Sequence, residues 1–378
     1  MRIAVNVRFL LPGKMEGIGW YTYETVRRMV KDHPEHEFHF LFDRKWSEEF
    51  IFADNVIPHR VNPPARHPYL WYWWFERSIP KQLKKIDPDV FFSPDGFLSL
   101  HAKVPTLMVM HDLAFEHFPE HIPKVVRRFY QYFSPRYARK ADRIAAVSQA
   151  TKDDIAEQYG IDPQKISVAH NGVRDDFRPM ASLEKDKFRH ENTKGRPYLF
   201  FVGAMHPRKN IPRLIEAYTA FRHQAKGDPL LLLTGRMAWM TSDIRKAYDA
   251  CDFKDDIIFT GHLDSTTLAR YTSAASIICY LSLFEGFGVP VLEAMQAEAP
   301  LLCSNVSSIP EVAGDAALYA DPQDVDSMSA GMLTLWNDRD LAKELVDNGR
   351  RQREHFSWDI TAKKLWSALE EISKGGQE

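Results

Sequence analysis

The sequence predicts an α/β protein built from two doubly wound domains. Three observations carry that prediction. The chain has 378 residues, more than the roughly 100–200 typical of one domain. Short apolar runs alternate with stretches of helical periodicity in both halves, which is the pattern of parallel sheets covered by helices. A polar stretch over 175–197, containing Pro179, Gly195 and Pro197, separates the two sets. The expected division is 1–178, 179–357 and a terminal helix over 358–378.

The first half opens as a strand at Ile3–Val7, followed by Pro12-Gly13 and a glycine-containing loop with Gly17 and Gly19. Ile18, Tyr21, Thr22, Thr25, Val26, Met29 and Val30 then recur at helical spacing. Further strands are expected at Glu37–Phe42, Asp89–Ser93, Pro105–Met110 and Arg143–Val147. In the second half the strand candidates are Tyr198–Val202, Leu230–Thr234, Ile257–Thr260, Ile277–Leu281 and Pro300–Cys303. Between the first two, Ile211, Leu214, Ile215, Tyr218 and Phe221 mark one face of a helix. The apolar period from Trp358 to Ile372 predicts the terminal helix.

Composition narrows the class. With 44% hydrophobic, 26% charged and 12% aromatic residues, the chain is neither disordered nor a disulfide scaffold. No leader pattern follows Met1, and no apolar stretch approaches the roughly 18 residues needed to span a bilayer. Cys251, Cys279 and Cys303 lack metal-ligand spacing and are expected as buried free thiols of a cytoplasmic protein. The net charge of −2 hides a local excess: residues 124–143 hold seven basic residues against one acid, Asp142. Neither half has the high basicity of a nucleic-acid binder. The local patch fits an anionic surface, such as a phosphate or a membrane.

The chemistry concentrates in 282–295, SLFEGFGVPVLEAM. A strand ends near Ser282, a loop carries Glu285, Gly286, Phe287 and Gly288, and a helix begins near Val289. Glycines there let a ligand approach the backbone, and amides at a helix start attract a phosphate. Two carboxylates, Glu285 and Glu293, beside a phosphate site are suited to accept from hydroxyls, and phosphate plus several hydroxyls describes a nucleotide sugar. A second cluster, VGAMHPRKN over 202–210, sets Arg208 and Lys209 after a strand and before a helix. Cations oppose the helix dipole there, so a ligand role such as neutralising a diphosphate accounts for them better. His111 follows a strand in the first half, where ligands also bind.

These residues together resemble the retaining GT-B glycosyltransferases of family four, the group 1 enzymes. The resemblance rests on E-x7-E from Glu285 to Glu293, G-I-G-x-Y from Gly17 to Tyr21, His111-Asp112, N-G-V over 171–173 and Arg208-Lys209-Asn210. It implies two Rossmann-like domains facing a central cleft, the first binding acceptor and the second a nucleotide sugar, with the terminal helix crossing back to the first. By the same resemblance Glu285 binds donor-sugar hydroxyls, the amides of Gly286, Phe287, Gly288 and Val289 hold sugar and phosphate, and Glu293 grips ribose. Arg208 and Lys209 balance the departing diphosphate, His111 contacts the transferred sugar, and Gly17 and Gly19 close over the donor. The base falls near Gly235, Arg236, His262 and Leu263. One departure is Ala204, where many relatives carry arginine after the glycine; Arg208 is the available substitute. No metal or cofactor is expected, since no D-x-D cluster lies at the donor site. The expected reaction moves a sugar, with GDP-mannose the leading donor, to a glycan or lipid-linked acceptor. A nucleotide-sugar epimerase and a non-catalytic nucleotide-sugar-binding protein are the alternatives.

The remaining motif is YLWYWWF over 69–75, followed by Arg77, Lys81, Lys84 and Lys85, with KVVRRFYQYFSPRYARK over 124–140. Aromatics flanked by cations suit a membrane interface. The competing expectation is that the rings fill the core of the first domain.

Overall fold

A computed structural model describes residues 1–236 and 242–375. The chain folds as two compact units, one formed by residues 1–171 and 357–378, the other by 172–356.

The first unit is centred on a seven-stranded sheet. Its strands are β1 (Arg2–Asn6), β2 (Glu37–Phe42), β3 (Val56–Arg60), β4 (Val90–Ser93), β5 (Thr106–Met110), β6 (Arg143–Ala146) and β7 (Ile166–Val168). They lie in the order β3-β2-β1-β4-β5-β6-β7, all parallel. The central strands read as unbroken apolar runs because helices cover both faces; β5 is buried at all five positions. The strand order reverses between β1 and β4, so the crevice suited to ligands opens at their carboxyl ends.

The helix Trp358–Gly375 belongs to this unit although it follows the whole of the other. Trp358 packs edge-on against Tyr21, with ring centroids 5.7 Å apart, and Trp366 stacks on His33 at 3.6 Å. Thr361 donates to the His170 carbonyl at 2.5 Å. Residues 376–378 of the expected terminal helix lie outside the described residues.

The second unit carries six parallel strands: β8 (Tyr198–Val202), β9 (Leu230–Thr234), β10 (Ile257–Gly261), β11 (Ile277–Tyr280), β12 (Leu301–Ser304) and β13 (Ala317–Ala320). Their order is β10-β9-β8-β11-β12-β13, so the reversal falls between β8 and β11. Its core joins Leu199, Phe201, Leu231, Leu233, Cys279 and Leu302 to the covering helices. Cys251, Cys279 and Cys303 are buried free thiols.

The aromatic run divides between core and surface. Trp74 and Phe75 are completely buried and Trp71 packs on the same core, whereas Tyr69 and Trp73 are 70% and 55% exposed. Trp74 is fixed further by donating its indole N–H to the Val61 carbonyl at 2.9 Å.

Candidate active site

The second sheet brings the two charged clusters of the sequence together. The loop after β8 carries Arg208 and Lys209, and the loop after β11 carries Glu285, so both leave neighbouring strands at the reversal point. Leu283 N–H donates to the Arg208 carbonyl at 2.8 Å and ties the loops to each other. Asn210 completes the turn in a left-handed conformation, with φ of 61°. Its amide donates to the Leu281 and Pro322 carbonyls, at 3.1 and 2.6 Å.

Glu285 is buried between two cations. One carboxylate oxygen accepts from Arg208 Nη1 at 2.6 Å and the other from Lys209 Nζ. Lys209 also donates to Tyr280 Oη at 2.7 Å, and Arg208 to the Phe284 carbonyl at 3.1 Å. Ser307 and Ser308 hold the Glu285 main chain through its N–H and carbonyl, at 3.0 and 2.9 Å. Burial works to raise the Glu285 carboxyl, but Arg208 and Lys209 outweigh it and bring it down to about 2. The trio therefore carries one net positive charge at neutral pH, held by side chains that are already ordered. Desolvation pushes the Tyr280 phenol well above its usual range, so it stays a neutral partner of Lys209.

The helix Val289–Gln296 begins at the position expected, with Gly288 before it at φ of 97°. A side chain at Gly288 would meet Ile309 Cδ1 at 2.6 Å. Pro290 has no N–H, and Val291 N–H is taken by the Gly288 carbonyl at 2.9 Å. Glu293 lies a turn further on and is buried, paired with Arg174, whose Nη2 donates to its Oε1 at 2.7 Å.

Gly235 and Arg236 follow β9, and His262 and Leu263 follow β10, so both groups sit at the same carboxyl edge as Lys209. Three backbone bonds join these loops: Gly203 N–H to the Thr234 carbonyl at 2.9 Å, Met205 N–H to Arg236 at 3.2 Å, and Gly235 N–H to Gly261 at 3.0 Å. Arg236 and His262 are exposed there.

In the first unit, His111 follows β5 at the carboxyl edge. Its Nε2 lies 2.8 Å from the Pro94 carbonyl, which can only accept, so that nitrogen carries the proton. Burial lowers the imidazole pKa and keeps the ring neutral at pH 7. Tyr21 meets it edge-on at 5.1 Å. Gly17 and Gly19, expected in a loop, instead form the first turn of the helix Gly17–Asp32. Gly19 has a packing reason: a Cβ would stand 2.8 Å from the Phe9 carbonyl oxygen, while Gly17 faces open space.

Among the described residues, one group has metal-ligand proximity: His33, Glu35 and His36, on the turn before β2. His36 Nδ1 lies 2.8 Å from the Met1 amine and its Nε2 3.3 Å from Glu35.

Two family models cover most of the chain. The one described as Glycosyltransferase Family 4 matches residues 15–177, and Glycosyl transferases group 1 matches residues 182–352. The chain belongs to the family-four, group 1 glycosyltransferases. Among the relatives of this glycosyltransferase is the O-antigen chain mannosyltransferase B of Escherichia coli, 26% identical over 91% of this chain and 93% of the relative. Sucrose-phosphate synthase from Thermosynechococcus elongatus shares its GT-B fold, with a TM-score of 0.77, 17% identity and coverage of 99% of both chains. Anabaena HepE, solved in complex with UDP-glucose, does so with a TM-score of 0.74 at 15% identity, covering 98% of this chain and all of that one.

Other residues join these clusters without a clear signal in the sequence. Arg174 follows directly on the N-G-V turn, a signal that was present, but nothing in the sequence pairs it with Glu293. Tyr280 lies inside an apolar run, where nothing distinguishes it from a core residue. Ser307 and Ser308 lie in a polar turn with no recognisable spacing to Glu285.

Proposed function

We propose that this enzyme is a retaining, metal-independent mannosyltransferase. It would take mannose from GDP-mannose to a glycan or lipid-linked acceptor in surface polysaccharide or glycolipid synthesis. The observation that carries the reading is the Arg208–Glu285–Lys209 trio at the reversal point of the second sheet. Cleaving a sugar–phosphate bond builds positive charge at the anomeric carbon and negative charge on the diphosphate. Arg208 and Lys209 answer the diphosphate charge, the service a metal ion performs elsewhere. Glu285 holds both cations and faces the donor-sugar hydroxyls, and Glu293 accepts from ribose. The leaving phosphate oxygen takes the acceptor proton, so attack and departure share one face and the anomeric configuration is retained. By family resemblance, residues 172–356 take the donor and the other unit takes the acceptor, with His111 serving the transferred sugar and Gly17 and Gly19 the donor. The relative named as an O-antigen mannosyltransferase supports the choice of sugar, and the UDP-glucose complex of HepE supports a nucleotide-sugar donor.

A panel of GDP-mannose, UDP-glucose and ADP-glucose, followed by mass spectrometry with EDTA present, tests this. Expected are consumption of GDP-mannose with an α-linked product, and a donor KM raised in Glu293→Ala with little change in kcat, because a ribose contact is much the same in ground and transition states. Turnover of a UDP- or ADP-sugar instead would overturn the donor. An epimerised nucleotide sugar with no glycoside would favour the epimerase.

A membrane surface as the acceptor's location has its own observation. On the helix Lys124–Lys140, Val125, Arg128, Tyr132, Arg136 and Arg139 are exposed at intervals of three and four, one stripe of the helix. The Arg136 guanidinium lies 3.7 Å over the Tyr132 ring. Exposed Tyr69, Tyr72 and Trp73 lie on the helix Pro68–Trp73 of the same unit, where Tyr72 reaches Phe133 at 6.2 Å. Rings at headgroup depth with cations beside them suit an anionic leaflet, each cation adding about 1 kcal/mol. No helix among the described residues is long and apolar enough to cross a membrane. The protein should therefore co-sediment with phosphatidylglycerol vesicles at low salt and less so in Arg128→Glu/Arg136→Glu. Equal sedimentation of both proteins, or none, would favour a soluble acceptor.

A further inference from the structure

The geometry points to Arg174 as the positioning residue for the donor's ribose, acting through Glu293. This rests on the assignment of Glu293 to ribose made above. Glu293 is buried, and Arg174 engages only its Oε1. The guanidinium is itself braced from two sides. Its Nη1 donates to Ser265 Oγ at 3.1 Å, and it lies 5.1 Å from the Phe177 ring centroid. Ser265 in turn donates to the Asp176 carboxylate. The chain Asp176–Ser265–Arg174–Glu293 thus runs from the turn after Asn171 to the interior of the helix Val289–Gln296, and it fixes the rotation of the Glu293 carboxyl.

A vicinal diol offers two O–H donors, so its best partner is an ionised carboxylate with an oxygen to spare. Arg174 supplies both conditions. It occupies one oxygen, so the diol meets Oε2, and it opposes the neutral form. Burial raises the Glu293 carboxyl, Asp176 raises it slightly further, and Arg174 is the one group that pulls it down. Without that cation nothing offsets burial, and the carboxyl shifts further toward the protonated acid. An acid can accept one hydrogen bond less, and its O–H competes with those of ribose.

The test is steady-state kinetics of wild type, Arg174→Ala, Arg174→Lys and Glu293→Gln across about pH 6–9, a range that brackets buried-carboxyl titration. The donor is whichever nucleotide sugar the panel identifies. Arg174→Ala should raise the donor KM at pH 7 by roughly ten- to a hundredfold, the loss of a charged hydrogen bond, with kcat little changed. Its KM should fall toward the wild-type value as pH rises and Glu293 ionises. Arg174→Lys should restore most of the neutral-pH affinity. Glu293→Gln should bind weakly at every pH, and the double variant Arg174→Ala/Glu293→Gln should be no worse than Glu293→Gln alone. A merely structural Arg174 would give a KM increase that does not respond to pH and adds to that of Glu293→Gln, and either result overturns the inference. Failure of wild type to turn over any nucleotide sugar would instead strike the functional assignment itself.

Discussion

Lys209→Ala and Glu285→Ala are each expected to slow sugar transfer by about 10²–10³-fold, the effect of removing one preorganised electrostatic contact from a transition state. Retention of more than about a tenth of wild-type turnover would mean a loss below about 1.4 kcal/mol and would remove either residue from the catalytic machinery. Both side chains also stabilise the second unit. They are buried and paired with each other, and breaking a buried pair from one side costs about 3–5 kcal/mol. Activity should therefore be read beside thermal unfolding at a temperature where each variant remains folded. Glu285→Gln keeps the shape and removes the charge, so it shows how much of both losses the two ion pairs carry. The pairing also sets a direction with pH. The Glu285 carboxyl is depressed from 4.5 to about 2. Its contribution to stability is thus complete above its unfolded pKa and fades as pH falls from about 4.5 toward about 2.

Gly235→Ala should destabilise the second unit by about 4 kcal/mol or more, in the exceptional range for single substitutions. A Cβ at this position would stand 1.8 Å from the Gly203 carbonyl oxygen and 2.6 Å from its carbon. Both are backbone atoms, and Gly203 is pinned by its own bond to Thr234, so neither side can yield. The φ of 149° adds a conformation that side chains avoid. Gly227→Ala is the control: its φ is 88°, but nothing lies within 4 Å of an added Cβ. It should cost about 1–2 kcal/mol, the backbone penalty alone. If the two variants unfold at the same denaturant concentration, the close approach of the two loops is not real.

Much of this architecture is legible in the sequence, and the omissions have a common cause. Interior strands of a parallel sheet are buried on both faces, so Tyr198–Val202 and Leu230–Thr234 stand out as apolar runs with the bounds observed. The strands not anticipated, β3, β7 and β13, all lie at sheet edges. They are short or half-exposed, and β3 even contains Pro58, which an edge tolerates and an interior strand does not. The site divides similarly. Glu285, Arg208 and Lys209 announce themselves by charge in a loop between strand and helix. Arg174 and Ser307 do not, because their role comes from a meeting across more than twenty residues of sequence that no local pattern encodes. Gly17 and Gly19 mislead in the opposite direction. A glycine pair reads as a loop, yet at Gly19 the missing side chain makes room for a neighbouring carbonyl inside a helix.

The placement of Trp358–Gly375 in the first unit has a consequence for synthesis on the ribosome. Residues 1–171 emerge first but lack the helix that covers Tyr21 and stacks on His33. At roughly 5–20 residues per second, the intervening 172–356 occupy about 10–40 s of translation. During that time the first unit already has all seven of its strands, yet it waits with an open apolar seam. The nascent chain is then exposed in its earliest-made part for the longest time, which makes that part the natural client for a chaperone. The segment that closes it is made only after the whole of 172–356.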